Sequence, residues 1–249
     1  MFNIAQALSP AVERDPHFDK VRLLMQGSGT PTGTELRGGD ASKYGVAVSR
    51  SGTPTVSASV KKFGKSSITA GTGTGSSNVF IISSPQLPAI GTGDFTIEMW
   101  IYKTAANDIS MQLMGSDTGI RFFVSSSVAS GGFPGTTGIG RVAFYAGASG
   151  ATQIPVGLSA ITPNTTWTHL ALVRSSSVVY AFYNGNLLGS AADTTDYPAQ
   201  QFRILNGVGS TAGQNSRNFA GYVDDVRFTF GLARYTEAFT PPTRQFLNA

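Results

Sequence analysis

The 249-residue sequence predicts one all-β sandwich, and three observations carry that expectation. Short apolar or alternating segments recur between turns rich in Gly, Ser, Thr and Pro, the spacing of an antiparallel sandwich. Asn184-Gly185-Asn186 separates two such segments, and Asn and Gly tolerate the positive φ that a tight hairpin turn requires. No segment longer than about ten residues holds a helical period.

Taken in order, Met1 to Pro16 carries a weak helical pattern at Phe2, Ile4, Ala5 and Leu8 and is closed off by Ser9-Pro10 and Asp15-Pro16. Residues 1–16 are therefore expected to form an arm separate from the sandwich. The sandwich is expected over residues 17–243, beginning with the apolar run Val21 to Met25. The pentamer Ser-Gly-Thr-Pro-Thr occurs at Ser28 to Thr32 and again at Ser51 to Thr55, but it is turn composition with no period of 20 to 50 residues behind it. Phe95 to Tyr102 alternates, so Phe95, Ile97, Met99 and Ile101 share a core face while Thr96, Glu98, Trp100 and Tyr102 share the other. Further strands are expected at residues 109–114, 119–124, 141–146, 167–174, 178–183 and 221–230. Thr240-Pro241-Pro242-Thr243 closes the domain and leaves residues 244–249 as a tail.

Composition narrows the functions. Charged residues are only 13% of the chain against ~25% in an average domain, and Gly, Ser and Thr together make one third of it, so the surface is largely neutral hydroxyl, amide and backbone. The net charge of +4 has one dense cluster, Lys61, Lys62 and Lys65, which is no phosphate-tracking stripe, and nucleic acid is not expected as a partner. Cysteine is absent, which removes disulfides and thiolate metal sites. Residues 1–12 show no basic flank before an apolar run, and no apolar stretch approaches membrane-spanning length; neither a secretory leader nor membrane insertion is expected.

Candidate chemistry is sparse. Glycoside hydrolysis needs two carboxylates about 5 to 9.5 Å apart, and none of the four glutamates, Glu13, Glu35, Glu98 and Glu237, has an acidic neighbour two or four positions along its own expected strand. A pair drawn from distant loops, such as Asp117 with Asp193, is the arrangement left to an enzyme. Asp224 and Asp225 are adjacent in an expected strand, which sends their side chains to opposite faces. One is expected to hold a neighbouring loop through backbone N–H groups, the other to meet Arg227 or solvent. His169, with apolar neighbours, reads as a core histidine, and two distant histidines without cysteine cannot form a zinc site. Calcium is open on loop carboxylates Asp117, Asp193 and Asp196. The face bearing Glu98, Trp100 and Tyr102, with Tyr180 and Phe182 as neighbours, has two readings: a stacking surface for a sugar ring, or half-buried packing.

Several segments in this order resemble one family: Lys62 to Ser67, Gly93 to Trp100, Trp167 to Arg174, Tyr183-Asn184-Gly185 and Gly221 to Arg227 are similar to concanavalin A-like, laminin-G-like jelly rolls. The ending Gly231 to Thr243 is similar to the version found in bacteriophage virion proteins. The resemblance spans roughly residues 18 to 243. It implies a two-sheet antiparallel jelly-roll sandwich with a concave face and rim loops that bind glycans, calcium or proteins in various relatives. Relatives often carry an aromatic residue, an Asp and a Gly where this chain has Thr69 to Gly75, so an acidic ligand at that edge is not carried over. The expectation is a non-enzymatic virion protein on the particle exterior, made in the host cytoplasm. Its arm would grip other capsid or tail proteins, with host surface polysaccharide as the alternative ligand and a homo-oligomer compatible with its sheet edges.

Overall fold

A computed structural model describes residues 13–71, 78–104, 111–124, 141–148, 153–206 and 217–247. A 3-10 turn, Phe18–Lys20, leads into β1 (Val21–Met25). The Gly/Thr/Pro-rich stretch that follows folds into four three-residue strands, β2 (Thr30–Thr32), β3 (Glu35–Arg37), β4 (Ser49–Ser51) and β5 (Thr55–Ser57). After β6 (Ser67–Thr69) and β7 (Val79–Ile82) come the long β8 (Phe95–Lys103), β9 (Met111–Ser116), β10 (Arg121–Val124), β11 (Arg141–Gly147) and β12 (Gln153–Ile161). The chain continues through β13 (Trp167–Ser175), β14 (Val178–Tyr183), β15 (Asn186–Ala192), β16 (Phe202–Ile204), β17 (Arg217–Asn218) and β18 (Gly221–Phe230).

Among the described residues the strands form two sheets. An eight-stranded sheet runs β15-β14-β13-β8-β18-β6-β5 with β1 also on β18; a ten-stranded sheet runs β12-β11-β10-β9-β16-β7-β4-β3-β2 with β17 on β9. Only the β17–β9 pairing is parallel. Neighbouring strands are often far apart in sequence, as with β8 beside β18, which is the jelly-roll crossover pattern the resemblance implies. No described helix is long and apolar enough to cross a membrane.

The core lies between the sheets and follows from the alternation. Phe95, Ile97, Met99 and Ile101 of β8 are completely buried, together with Leu170, Leu172, Val223 and Phe228 from its neighbours, against Phe80, Phe122, Phe144 and Phe202 of the other sheet. Each such side chain contributes about 1.5–3 kcal/mol by leaving water. The Asn184-Gly185 turn is a primed hairpin with φ of 49° and 77°, as the dipeptide predicts. Ser176 and Ser177 make the same kind of turn, with φ of 49° and 63°, without glycine.

The ends of the chain depart from the simple division into arm, sandwich and tail. Residues 1–12 of the expected arm, the glycine run 72–75 and residues 109–110 lie outside the described residues. The last part of the arm is docked: the Asp15 carboxylate, nearly buried, accepts hydrogen bonds from Arg227 and Arg234. Past residue 243 the chain also stays on the sandwich. Phe246 packs on Val21 and Leu24 and donates its N–H to Asp225 at 2.8 Å, and its carbonyl accepts from Gln26 Nε2. Residues 231–247 therefore run across the outer face of the eight-stranded sheet.

Candidate functional site

That outer face is best followed row by row, because residues paired in register on neighbouring strands stand side by side. In the first row, Tyr180 pairs with Val173 and Val173 with Thr96. The Thr96 hydroxyl donates to the carbonyl of Leu232 and accepts from the N–H of Arg234, which pins the closing segment to β8.

The second row runs from Phe182 through Ala171 and Glu98 to Arg227. Glu98 is completely buried. Its Oε1 accepts from Nε and Nη2 of Arg227 at 2.9 and 2.7 Å, and its Oε2 accepts from the Tyr235 hydroxyl at 3.1 Å and lies 3.2 Å from Nε2 of His169. Burial pushes the carboxyl up, but the Arg227 guanidinium and the His169 contact outweigh it and hold the carboxyl at about 2. Both oxygens are occupied, so the expected sugar acceptor is an internal anion. Phe182 is also fully buried, capped by Tyr235 and Phe239, which themselves stack 3.6 Å apart; half-buried Tyr180 packs against the same cluster. The structure thus separates Tyr180 and Phe182 from Tyr102 and gives them to the cover.

In the third row, His169 pairs with Trp100 and Trp100 with Asp224. Trp100 is 6% exposed, with the Lys62 ammonium 4.1 Å from its ring centre, Phe63 edge-on at 5.8 Å and His169 at 5.1 Å. Asp224 sets this lid by accepting the N–H groups of both Lys62 and Phe63, the loop-holding role expected of one aspartate of the pair. Its neighbour Asp225 sits at a bulge with φ of 47°, where the register slips between Asp224 and Arg227. The bulge breaks the alternation that would separate the two carboxylates. Asp225 instead accepts the Phe246 N–H, so both aspartates tie down segments that cross the same face.

The fourth row lies beyond the cover. Trp167, Tyr102 and Tyr222 pair across β13, β8 and β18, their ring centres 5.4 and 5.9 Å apart, and all three are half-buried rather than enclosed. Of the expected stacking residues, Tyr102 stands in this row and Trp100 lies beneath Lys62 one row back. Trp167 and Tyr222 were not singled out from the sequence, although each falls at a strand position whose register with Tyr102 could be counted once the pairing was known.

The loop aspartates do not assemble. Asp193 is buried and accepts from Arg174 Nη1 at 3.4 Å, the Tyr197 hydroxyl at 2.9 Å and the Thr195 N–H. Asp117 is exposed at the turn after β9, where its N–H donates to Gln201, and Asp196 is exposed near Gly91. Among the described residues no group of three His, Asp or Glu could hold a metal ion, so these carboxylates do not fit the calcium expectation. The same geometry dissolves the Asp117–Asp193 pairing, since Asp193 is committed to Arg174. That arginine, fully buried, also donates to the carbonyls of Gly91, Gly93 and Thr195, stapling the loops at one end of the sandwich.

Two antiparallel sheets packed face to face, with one outer face roofed by the closing segment and ending in a row of aromatics, define a lectin-like jelly-roll sandwich. The chain belongs to the concanavalin A-like lectin/glucanases superfamily, whose laminin-G-type family model matches residues 72–230. No curated protein sequence matches it. Among solved structures, the binding domain of botulinum neurotoxin serotype D/C has a TM-score of 0.62 at 13% identity over 88% of this chain and 50% of that one. The serotype C1 binding domain gives 0.60 at 14% identity, with the same coverage. Domain 4 of AbnA, an extracellular arabinanase from Geobacillus stearothermophilus, in complex with arabinotriose, gives 0.49 at 15% identity over 73% of this chain and 77% of that one. The chain spans about half the length of the toxin binding domains, and the likeness to them is one of fold.

Proposed function

We propose that this chain is a non-enzymatic carbohydrate-binding jelly roll carried on the exterior of a bacteriophage particle. The observation that carries the binding reading is the row Trp167–Tyr102–Tyr222: three adjoining aromatic rings, half-buried, on neighbouring strands. Aromatic faces take up the C–H faces of pyranose rings, while the phenol and indole edges remain able to hydrogen bond to hydroxyls. A platform fixed on three paired strands is rigid, so little ordering entropy is lost on binding.

The absence of catalysis in this reading rests on where the carboxylates are spent. Glu98 is neutralised by Arg227, Asp193 by Arg174, and Asp224 and Asp225 are bound to backbone N–H groups. None of these is poised to protonate a glycosidic oxygen or to attack an anomeric carbon. The virion reading is supported by the resemblance of Gly231 to Thr243, by the neutral Gly/Ser/Thr-rich surface and by an arm that ends on the sandwich at Asp15. The ligand in this reading is the surface polysaccharide of the bacterial host, and the arm holds a capsid or tail partner.

The test is binding of the labelled protein to host cells and purified envelope polysaccharide, alongside Tyr102→Ala and Trp167→Ala. Saturable, sugar-competed binding that each substitution weakens at least tenfold supports the reading; binding indifferent to both, or none at millimolar glycan, overturns it. Removing residues 1–12 should abolish incorporation into particles while leaving circular dichroism unchanged, and normal incorporation would refute the anchoring role.

A further inference from the structure

The two ends of the described chain meet over a cavity of about 220 Å³, open to solvent, beside Arg227 on the outer face of the eight-stranded sheet. Four guanidiniums line it, each from a different segment: Arg14 from the end of the arm, Arg227 from β18, Arg234 from the closing segment and Arg244 from the tail. The volume falls below the ~300 Å³ at which pockets for drug-sized ligands begin, so it suits one side chain rather than an oligosaccharide.

The charges around this cavity do not balance. Asp15 accepts from Arg227 Nη1 at 3.3 Å and from Arg234 Nη1 and Nη2 at 3.3 and 2.7 Å, and Glu13 pairs with Arg244. Glu98, behind the floor, answers Arg227. Arg14 is exposed and has no carboxylate within ion-pair reach among the described residues, so one guanidinium is left over. The field there already favours a carboxylate. Burial pushes the Asp15 carboxyl up, yet the bonds from Arg234 and the His17 N–H, with the charges of Arg234 and Arg227, hold it below the usual carboxylate range. Much of the remaining wall is apolar, supplied by Pro242, Phe246 and Leu247. A hydrated inorganic ion gains nothing from those surfaces, whereas a carboxylate carried on an apolar chain uses both kinds of wall.

We propose that this cavity receives the glutamate or aspartate side chain of an acidic peptide segment belonging to the protein that the arm grips. Arg14 and Arg244 take the carboxylate at the rim, where the forked donors of a guanidinium match its edge in geometry as well as charge. The apolar neighbours of that residue lie on Pro242 and Leu247, both half-buried and so still open to contact. Since Arg14 belongs to the arm and Arg244 to the tail, a carboxylate shared between them ties the two ends together. The inference rests on the reading of the arm as the attachment point and adds the chemistry of its partner; it does not depend on the aromatic row.

The experiment is fluorescence anisotropy of the full chain with a labelled, end-blocked pentapeptide carrying one glutamate between two leucines. A second peptide has glutamine in that place, and glucuronate and inorganic phosphate serve as competitors. The glutamate peptide should bind saturably, at least tenfold tighter than the glutamine peptide, and weaken as salt is raised. Arg14→Gln and Arg244→Gln should each weaken it by about threefold to fivefold, the size expected of an exposed ion pair, and leave the melting temperature unchanged. Arg14→Lys should recover part of the loss. Saturating peptide should also slow trypsin cleavage after Arg14, a protection that a purely structural arginine does not give. Equal affinity for the two peptides, or unchanged affinity in both arginine variants, overturns the proposal. Tighter binding of glucuronate or phosphate than of the glutamate peptide overturns the peptide partner and leaves a site for a sugar acid or a simple anion. Removing residues 1–12 keeps Glu13 to Pro16, so the peptide should still bind that chain. Normal particle incorporation of the shortened chain refutes the arm reading, while the peptide titration reports on the cavity alone, so the two failures are told apart.

Discussion

Arg227 gives two donors, Nε and Nη2, to a single oxygen of Glu98, at 2.9 and 2.7 Å, and both side chains are closed off from water. The pair sits at the centre of the outer face of the eight-stranded sheet, on β18 and β8. Both terminal segments that cross that face touch it: Tyr235 bonds Glu98, Asp15 bonds Arg227, and the Phe246 ring lies 3.7 Å from the Arg227 guanidinium carbon. An internal ion pair thus serves as the fixing point for the two ends of the described chain.

Breaking this pair on one side should be costly. Arg227→Ala leaves a buried carboxylate with no cation and is expected to destabilise the fold by about 3–5 kcal/mol. Glu98→Leu combined with Arg227→Met, which leaves no charge behind, should lose much less. Urea denaturation of the three proteins checks the contrast, and an equal loss in single and double variants would refute it.

The pH dependence of stability should have two opposing limbs. Glu98 titrates at about 2 in the fold against 4.5 when free, so its contribution is complete above pH 4.5 and disappears as pH falls toward 2. Asp225 behaves in the opposite sense. Burial, with the charges of Asp224 and Glu98, pushes it from 3.8 up to about 8 against the pull of the Phe246 N–H and Arg227, so the fold favours its protonated form. The resulting stability is complete below about pH 3.8 and is lost as pH rises through 8. Asp225→Asn keeps an acceptor for Phe246 and should flatten the upper limb, giving a higher urea midpoint than the parent at pH 8.5.

Trp100 and Tyr102 should separate packing from binding. Trp100→Ala opens a cavity under Lys62 and Phe63 and is expected to cost about 3–5 kcal/mol. Tyr102→Ala, at a half-buried position, should cost about 1 kcal/mol and carry the glycan-binding defect instead. Thermal melts paired with binding assays distinguish the two, and a reversed pattern would return Trp100 to the ligand surface.

Calcium should not stabilise the fold through Asp193. Addition of calcium or of a chelator is expected to leave the melting temperature unchanged, whereas Arg174→Ala should lower stability by about 3–5 kcal/mol by orphaning Asp193 and freeing the Gly91 and Gly93 carbonyls. A chelator-induced drop in melting temperature would contradict this.

The sequence disclosed the long strands more fully than their surroundings. In β8 the alternation of Phe95, Ile97, Met99 and Ile101 was readable because one face of a strand in the middle of a sandwich is uniformly apolar. Its other face looked like an open polar and aromatic surface, since what covers Glu98 and Trp100 comes from Phe63, Tyr235 and Phe239, remote in sequence. Strands β2 to β5 escaped notice because three residues, with at most one large apolar side chain among them, are too short to establish an alternation, and only pairing with neighbours makes them strands. Tyr102 could be placed on an aromatic and polar strand face with two readings, but its partners Trp167 and Tyr222 depend on register, which a single sequence does not encode locally. That one of Asp224 and Asp225 holds a loop could be read; which one does, and the bulge that sends Asp225 to the same side, could not.

Glu13 and Arg244 form an ion pair, and Asp15 is bonded to Arg234, so the described chain enters and leaves the sandwich at one spot. Such a body has a single stalk point. It can be grafted into a surface loop of another protein, or hung from one, with no gap to bridge.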